Sequence, residues 1–209
     1  MKLQIVNNNG ESTGKEVELD NSIFGVEPND HAIYLDVKQY MAHQRQGTHK
    51  SKDKSEINAS TKKLKRQKGT GTARAGSAKS GVMIGGGRMH GPRPRTYGFK
   101  LNKKLKDVAR RSALSYKAKD NQIIVLDQLS FGSPSTKECV AVLNKLKVMG
   151  RFLLVTSDVD KNVYLSARNI PNAEVLPCSD INTYSILKAK NVIFTEDAVN
   201  KLSQNFNEN

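Results

Sequence analysis

Six cations fall within thirteen residues at Lys62-Lys63-Leu64-Lys65-Arg66-Gln67-Lys68-Gly69-Thr70-Gly71-Thr72-Ala73-Arg74. Ammonium and guanidinium groups at this density neutralise phosphates and release counterions, which is chemistry for a polyanion rather than a small substrate. Gly69 and Gly71 let the backbone approach a sugar-phosphate chain and offer bare N–H donors. Gly91-Pro92-Arg93-Pro94-Arg95 works differently. Its prolines hold an extended chain, so Arg93 and Arg95 are presented at lower entropic cost. Arg bonds phosphate bidentately or stacks on bases. Arg45, Lys79 and Arg88 share this stretch and complete the set of candidate phosphate contacts.

Catalytic chemistry finds no comparable support. Gly69-Thr70-Gly71 is followed by Arg74 where a dinucleotide fingerprint needs its third glycine, and Gly85-Gly86-Gly87 meets His90 at that place. No GxxxxGK[ST] occurs. Asp127 and the Asp158/Asp160 pair could serve as acid and base, but no His accompanies them, so turn and cap roles are expected. His31, His43, His49 and His90 lack metal-ligand spacing. No enzyme activity, cofactor or protein-bound metal is expected. Cys139 and Cys178 have no CxxC partner and read as buried small apolar residues of a reducing compartment. No segment is apolar for long enough to span a bilayer, so no membrane partner is expected.

Charge distribution sharpens the polyanion reading. From His43 to Lys119 there are 22 Lys or Arg and three acids, whereas the whole chain carries +14. The flanks are therefore mildly acidic. Met41 to Thr96 has no Phe, Tyr or Trp, and nine of the 15 glycines lie between Gly69 and Gly98. Such a segment buries too little apolar surface to fold by itself and needs a polyanion to order it. The missing aromatics argue against a stacking platform for single strands and favour folded RNA read through phosphate, 2′-OH and shape. A basic tail, DNA compaction or a free nucleic-acid-binding regulator are the alternatives. The internal position of the segment weighs against a tail.

The elements that must hold this segment follow from periodicity. Lys2 to Val6 and Val17 to Leu19 read as strands. A helix starts at Pro28-Asn29-Asp30, runs out near Gly47, and has Ile33, Val37, Tyr40 and Met41 as its apolar face. No period is visible from Gly47 to about Gly98. Half of such a loop, fully extended at ~3.3 Å per residue, reaches roughly 80 Å. Asn102 is expected to cap a second helix with a stripe of Leu105, Val108, Ala109, Ala113 and Tyr116. Lys103, Lys104, Lys106, Arg110, Arg111 and Lys117 surround that stripe as a basic face. After Asp120, strands at 122–126, 152–156, 173–176 and 192–195 alternate with helices at 136–149, 158–168, 181–188 and 196–206. This alternation predicts an α/β fold: a mostly parallel sheet with helices on both faces, three-layered and Rossmann-like. Residues 1–46 and 99–209 would form the globular domain and 47–98 the extended basic loop.

Four blocks also carry a family resemblance. They are Arg45-Gln46-Gly47-Thr48, Arg66-Gln67-Lys68-Gly69-Thr70-Gly71 with Ala73-Arg74, Gly85-Gly86-Gly87, and Gly91-Pro92-Arg93-Pro94-Arg95. In order and spacing they resemble the bacterial large-subunit ribosomal protein L4 family. Asn8 to Val26, Asn102-Lys103-Lys104 and Arg111-Ser112-Ala113-Leu114-Ser115 extend the resemblance over nearly the whole chain. It implies a cytoplasmic ribosomal protein that binds 23S rRNA, with no cofactor of its own and room for structural Mg2+ of the rRNA. It also implies a loop threaded to the peptide exit tunnel, where a tip near Lys62 to Arg74 meets ribosomal protein L22 and the nascent peptide. Lys103, Lys104, Arg110 and Arg111 would anchor the globular part on RNA. The chain departs from the family pattern at Leu64, Lys65 and Thr72, and at Ser80-Gly81-Val82-Met83-Ile84. Contacts specific to the missing family residues do not carry over.

Overall fold

The computed structural model describes residues 1–207. The chain divides into two compact units, one of residues 1–41 with 100 onward, the other Ala42–Phe99. The first unit is built on six strands: β1 Lys2–Val6, β2 Ser12–Glu18, β3 Ile123–Leu126, β4 Phe152–Thr156, β5 Ala173–Pro177 and β6 Asn191–Thr195. Their order in the sheet is β2-β1-β3-β6-β4-β5. Only β1 and β2 pair antiparallel. The other four pairings are parallel. Among the described residues the α-helices are α1 Asn21–Phe24, α2 Asp30–His43, α3 Lys103–Lys119, α4 Thr136–Lys145, α5 Lys161–Ala167, α6 Thr183–Lys188 and α7 Glu196–Asn207.

Alternate strand residues feed two cores, as a period of two requires. Ile123, Val125, Leu153, Val155, Val192 and Phe194 pack with residues of α1, α3, α6 and α7. Leu126, Phe152, Leu154 and Ile193 pack with Cys139 of α4 and with Val163 and Ala167 of α5. Helices therefore cover both faces, which is why the central strands are apolar throughout. Both cysteines are free and buried, and burial pushes their thiols above the ordinary range. Side-chain caps fix several helix starts. Asn29 Oδ1 accepts from Ala32 N–H at 3.0 Å, Asp160 Oδ1 from Asn162 N–H at 2.8 Å, and Asn182 Oδ1 from Ser185 N–H at 2.8 Å. Each such cap is worth about 1 kcal/mol.

Several expectations are corrected. Helix α4 stops at Lys145, short of the expected end at 149, where Gly150 was to close it. Lys147 takes φ +53°, Val148 N–H reaches Leu143 O, and Lys147 N–H reaches Asn144 O. That is a Schellman closure with lysine in the place usually given to glycine. Helix α2 ends at His43, and its apolar face is not Ile33-Val37-Tyr40-Met41: it buries Ala32 and Gln39 and leaves Tyr40 and Met41 exposed. Polar bonds and ring stacking hold it instead. Thr183 donates to Asp36 at 2.6 Å, Tyr116 to Asp30 at 2.6 Å, and Tyr40 stacks on Tyr184 at 4.8 Å. Asn102 has cap backbone geometry but makes no side-chain cap bond. Strand β2 is longer than expected, because a bulged pairing with β1 carries it back to Ser12.

Lys117 does not join the basic face of α3. It is 8% exposed, and its ammonium donates to Gln122 Oε1 and Ala189 O, both at 2.7 Å, and to Lys190 O at 3.4 Å. Burial depresses its basicity below the ordinary lysine value of 10.5. Lys117→Met leaves the Ala189 carbonyl unpaired, so it should destabilise the fold by about 1–3 kcal/mol at neutral pH. The unfolded chain binds more protons than the folded one between the depressed value and 10.5. Wild-type stability relative to the variant should thus rise with pH across that window and stay flat below it. Thermal melts of both proteins against pH would check this. A gap that is constant, or that narrows toward high pH, would contradict a desolvated ammonium.

Candidate nucleic-acid interface

The second unit contains neither helix nor strand after His43, yet its backbone is organised. Arg95 N–H bonds Gly47 O, Ser51 N–H bonds Pro92 O, Arg88 N–H bonds Lys52 O, and Leu64 N–H bonds Gly76 O. Each pair is nearly equidistant in sequence from Thr70. The segment therefore runs out and back as two antiparallel limbs that turn near that residue. Apolar residues contribute little, since Val82, Ile84 and Met89 are exposed. The limbs instead approach backbone to backbone. A Cβ at Gly87 would lie 2.4 Å from Lys54 N, so only glycine fits there. A cleft of about 810 Å³ opens within this unit, lined among others by Ser77, Lys79, Arg88 and Arg93.

Residues 42–99 hold 14 Lys or Arg against Asp53 and Glu56. Both acids are spent inside the unit. Asp53 pairs with Arg93 at 3.0 Å, and Glu56 pairs with Lys50. The Lys50 hydrogen bond and the Asp53 N–H hold the Glu56 carboxyl below its ordinary range. Among the described residues the other cations have no carboxylate within reach. Lys62, Lys63, Lys65, Arg66, Lys68 and Arg74 are all exposed around the turn, beside Gly69 and Gly71, whose φ values are +82° and +63°. Lys65 Nζ reaches across to Thr72 Oγ1 at 2.9 Å. Lys79 is half-buried, whereas Arg88 is exposed. Like charges held this close repel one another until an anion intervenes.

The base of the limbs is more closely built. Arg45 lies over the Tyr97 ring at 3.8 Å from its centroid, and Arg95 over the same ring at 4.7 Å. The Tyr97 hydroxyl and His49 Nε2 share a hydrogen bond at 3.0 Å. Gly47, at φ +66°, closes the group: a Cβ there would sit 2.1 Å from Arg95 O and 2.9 Å from the Tyr97 ring. Each cation–π contact is worth about 0.5–1 kcal/mol. Repulsion between the guanidiniums, at the separation these distances allow, is roughly 0.5–1 kcal/mol in water. The shared ring thus offsets the cost of gathering two cations. Residue type alone did not single out Tyr97 and His49. The available signal was spacing, because positions i and i+2 of an extended chain share a side, which puts Tyr97 beside Arg95.

The candidate cations of the first unit lie on α3. Lys103 and Lys104 are exposed in its first turn, where no acid and no side-chain cap offset the positive helix end. Arg110 is half-buried and pairs with Asp107 at 3.6 Å. Arg111 donates through Nη2 to Phe206 O at 3.0 Å and lies 5.3 Å from the Phe206 ring centroid, so its head ties α3 to α7.

The sheet's own ligand position is hostile to phosphate. A cleft of about 200 Å³ at the C-terminal ends of β3, β4 and β6 is lined by Asp127, Asp158, Asp160 and Asp197. Parallel sheets that bind nucleotides use this crevice. Here Asp127 pairs with Lys15 at 3.6 Å, Asp158 with Lys201 at 2.5 Å, and Asp160 caps α5. Among the described residues no three His, Cys, Asp or Glu gather to hold a metal ion. None of their helices is long and apolar enough to cross a membrane.

The family model of the ribosomal protein L4/L1 family matches residues 17–205. The chain is 57% identical over 207 residues to the large ribosomal subunit protein uL4 of Porphyromonas gingivalis, covering 99% of each chain. It is 55% identical over 207 residues to the protein of the same name from Parabacteroides distasonis, again with 99% of each covered. With that of Cytophaga hutchinsonii the identity is 53% over 203 residues, or 97% of this chain and 98% of the relative. These names are those of ribosomal proteins and not of enzymes. On identity and coverage of this extent, the chain belongs to the ribosomal protein L4/L1 family.

Proposed function

We propose that this protein is a non-catalytic constituent of the large subunit of the cytoplasmic ribosome, binding 23S rRNA and supporting subunit assembly. The two-limbed segment 42–99 is the principal RNA-binding device. Its turn, about Lys62 to Arg74, lines the constriction of the peptide exit tunnel beside ribosomal protein L22 and meets the passing nascent peptide. Lys103 and Lys104, with Arg110 and Arg111 behind them, anchor the first unit on RNA. The protein itself carries no cofactor, and any Mg2+ at the interface belongs to the rRNA. The observation that carries this reading is the row of exposed cations around Thr70 with no carboxylate among the described residues to neutralise them. The full-length relatives named as large-subunit proteins supply the ribosomal setting.

Binding should depend steeply on salt, since each phosphate contact contributes about 0.9 to the slope of log K against log salt on duplex and about 0.7 on single strands. Arg66→Glu combined with Lys68→Glu should shallow that slope by about two contacts and weaken large-subunit rRNA binding at least tenfold. A titration series with excess tRNA competitor reads both quantities. Unchanged affinity would remove the turn from the interface.

Deleting 48–94 should abolish the tRNA-resistant component of rRNA binding while the thermal transition of the first unit persists, because that unit has its own two cores. Equal displacement of the intact protein by tRNA would reduce it to a generic polycation.

A further inference from the structure

We infer that Arg45, Arg95, Tyr97 and His49 form a prebuilt seat for one or two neighbouring backbone phosphates of folded RNA, at the base of the limbs and distinct from the glycine-rich turn. The inference rests on the rRNA-binding reading and assigns it a subsite. Tyr97 is its positioning residue. The Cζ atoms of both guanidiniums lie over the ring, at 3.8 and 4.7 Å from its centroid, a contact that occupies none of their donors with an oxygen acceptor. Neither side chain donates a hydrogen bond or pairs with a carboxylate among the described residues, although Asp53 lies in the same unit, occupied by Arg93. Two cations are thus gathered on one support with their donors unspent. Guanidinium forks of this kind match phosphate oxygens bidentately.

The remaining contacts make the support rigid. His49 Nε2 shares a hydrogen bond with the Tyr97 hydroxyl at 3.0 Å and anchors the far end of the ring. The Arg95 N–H to Gly47 O bond, at 3.2 Å, brings the two strands of chain together under the ring. Gly47 cannot carry a side chain without striking Arg95 O or the ring itself. Pro92 and Pro94 stiffen the approach to Arg95. The turn cations rest on no aromatic ring, so an RNA meets donors gathered on a shared support at the base and fully exposed ones at the turn. Prebuilt donors lose less freedom on binding.

The test uses the full chain with large-subunit rRNA over a salt series, comparing Tyr97→Ala, Tyr97→Phe, Arg45→Gln with Arg95→Gln, and the triple combination. Melting of the first unit serves as the folding control. Tyr97→Ala removes no charge, yet it should weaken binding about tenfold and shallow the salt slope by one to two units. Tyr97→Phe should recover most of that loss. The triple variant should be no weaker than the Arg45/Arg95 double, because the ring acts through those two residues. An unaltered slope in Tyr97→Ala, or losses that multiply in the triple variant, would overturn the seat. Loss on reversing Arg66 and Lys68 with no loss from the base variants would overturn the seat and spare the rRNA reading. Insensitivity of binding to both sets would overturn both.

Discussion

Like-charge repulsion within residues 42–99 is the constraint around which the other features arrange themselves. Fourteen cations face two acids there, and both acids are already paired. Burial cannot compensate, because Val82, Ile84 and Met89 stay in solvent. The segment is instead organised by backbone hydrogen bonds between its limbs and by glycines that let them touch. Neither device neutralises charge. Neutralisation comes from outside, from dissolved counterions or from a polyanion that displaces them.

The first unit is freed from that problem by its composition. Its strands Ile123–Leu126, Phe152–Thr156 and Asn191–Thr195 bury both faces, so the sheet is stable without help from the basic segment. The same architecture commonly binds nucleotides at the carboxyl ends of its strands. Here that end carries Asp127, Asp158, Asp160 and Asp197, which cap a helix, pair with lysines and repel phosphate. Positive charge is gathered on 42–99 and on the first turn of α3. The fold thus keeps phosphate away from the crevice where a related sheet would take it up.

The sheet was legible because its signal is local and strong. Apolar β-branched runs alternating with helical stretches admit few other arrangements, and Asn29 caps where its chemistry predicts, although α5 and α6 start at Lys161 and Thr183, two to three residues later than expected. What the sequence hid was tertiary choice. Helix α2 reads as having an Ile33-Val37-Tyr40-Met41 face, but tyrosine stacking and bonds to Asp30 and Asp36 orient it otherwise. Lys117 reads as one more surface cation until the carbonyls of Ala189 and Lys190, more than seventy residues away, are seen to accept hydrogen bonds from it. Lys147 in a left-handed turn ends α4 before Gly150 can. In the basic segment, the crowding of Lys and Arg was plain from composition. The support offered by Tyr97 was not, because it depends on contacts with Arg45, Gly47 and His49, far back in the chain, which composition does not show.

A gradient of order within 42–99 follows from these particulars. At its base, ring stacking, a His–Tyr bond and a glycine with no room for a side chain hold Arg45 and Arg95 in place. Midway, Asp53 holds Arg93. At the turn, Gly69 and Gly71 have nothing within 4 Å of a would-be Cβ, and six cations surround them in solvent. Ordering free chain on a partner costs entropy residue by residue, whereas ordered chain has already lost it. Association that begins at the base and zips toward Thr70 meets that cost gradually, with each new phosphate contact offsetting the next few residues fixed. Association that begins at the turn must fix the residues with the fewest packing contacts first, with the base contacts still unmade. The distribution of rigid and open positions therefore favours engagement from the base outward.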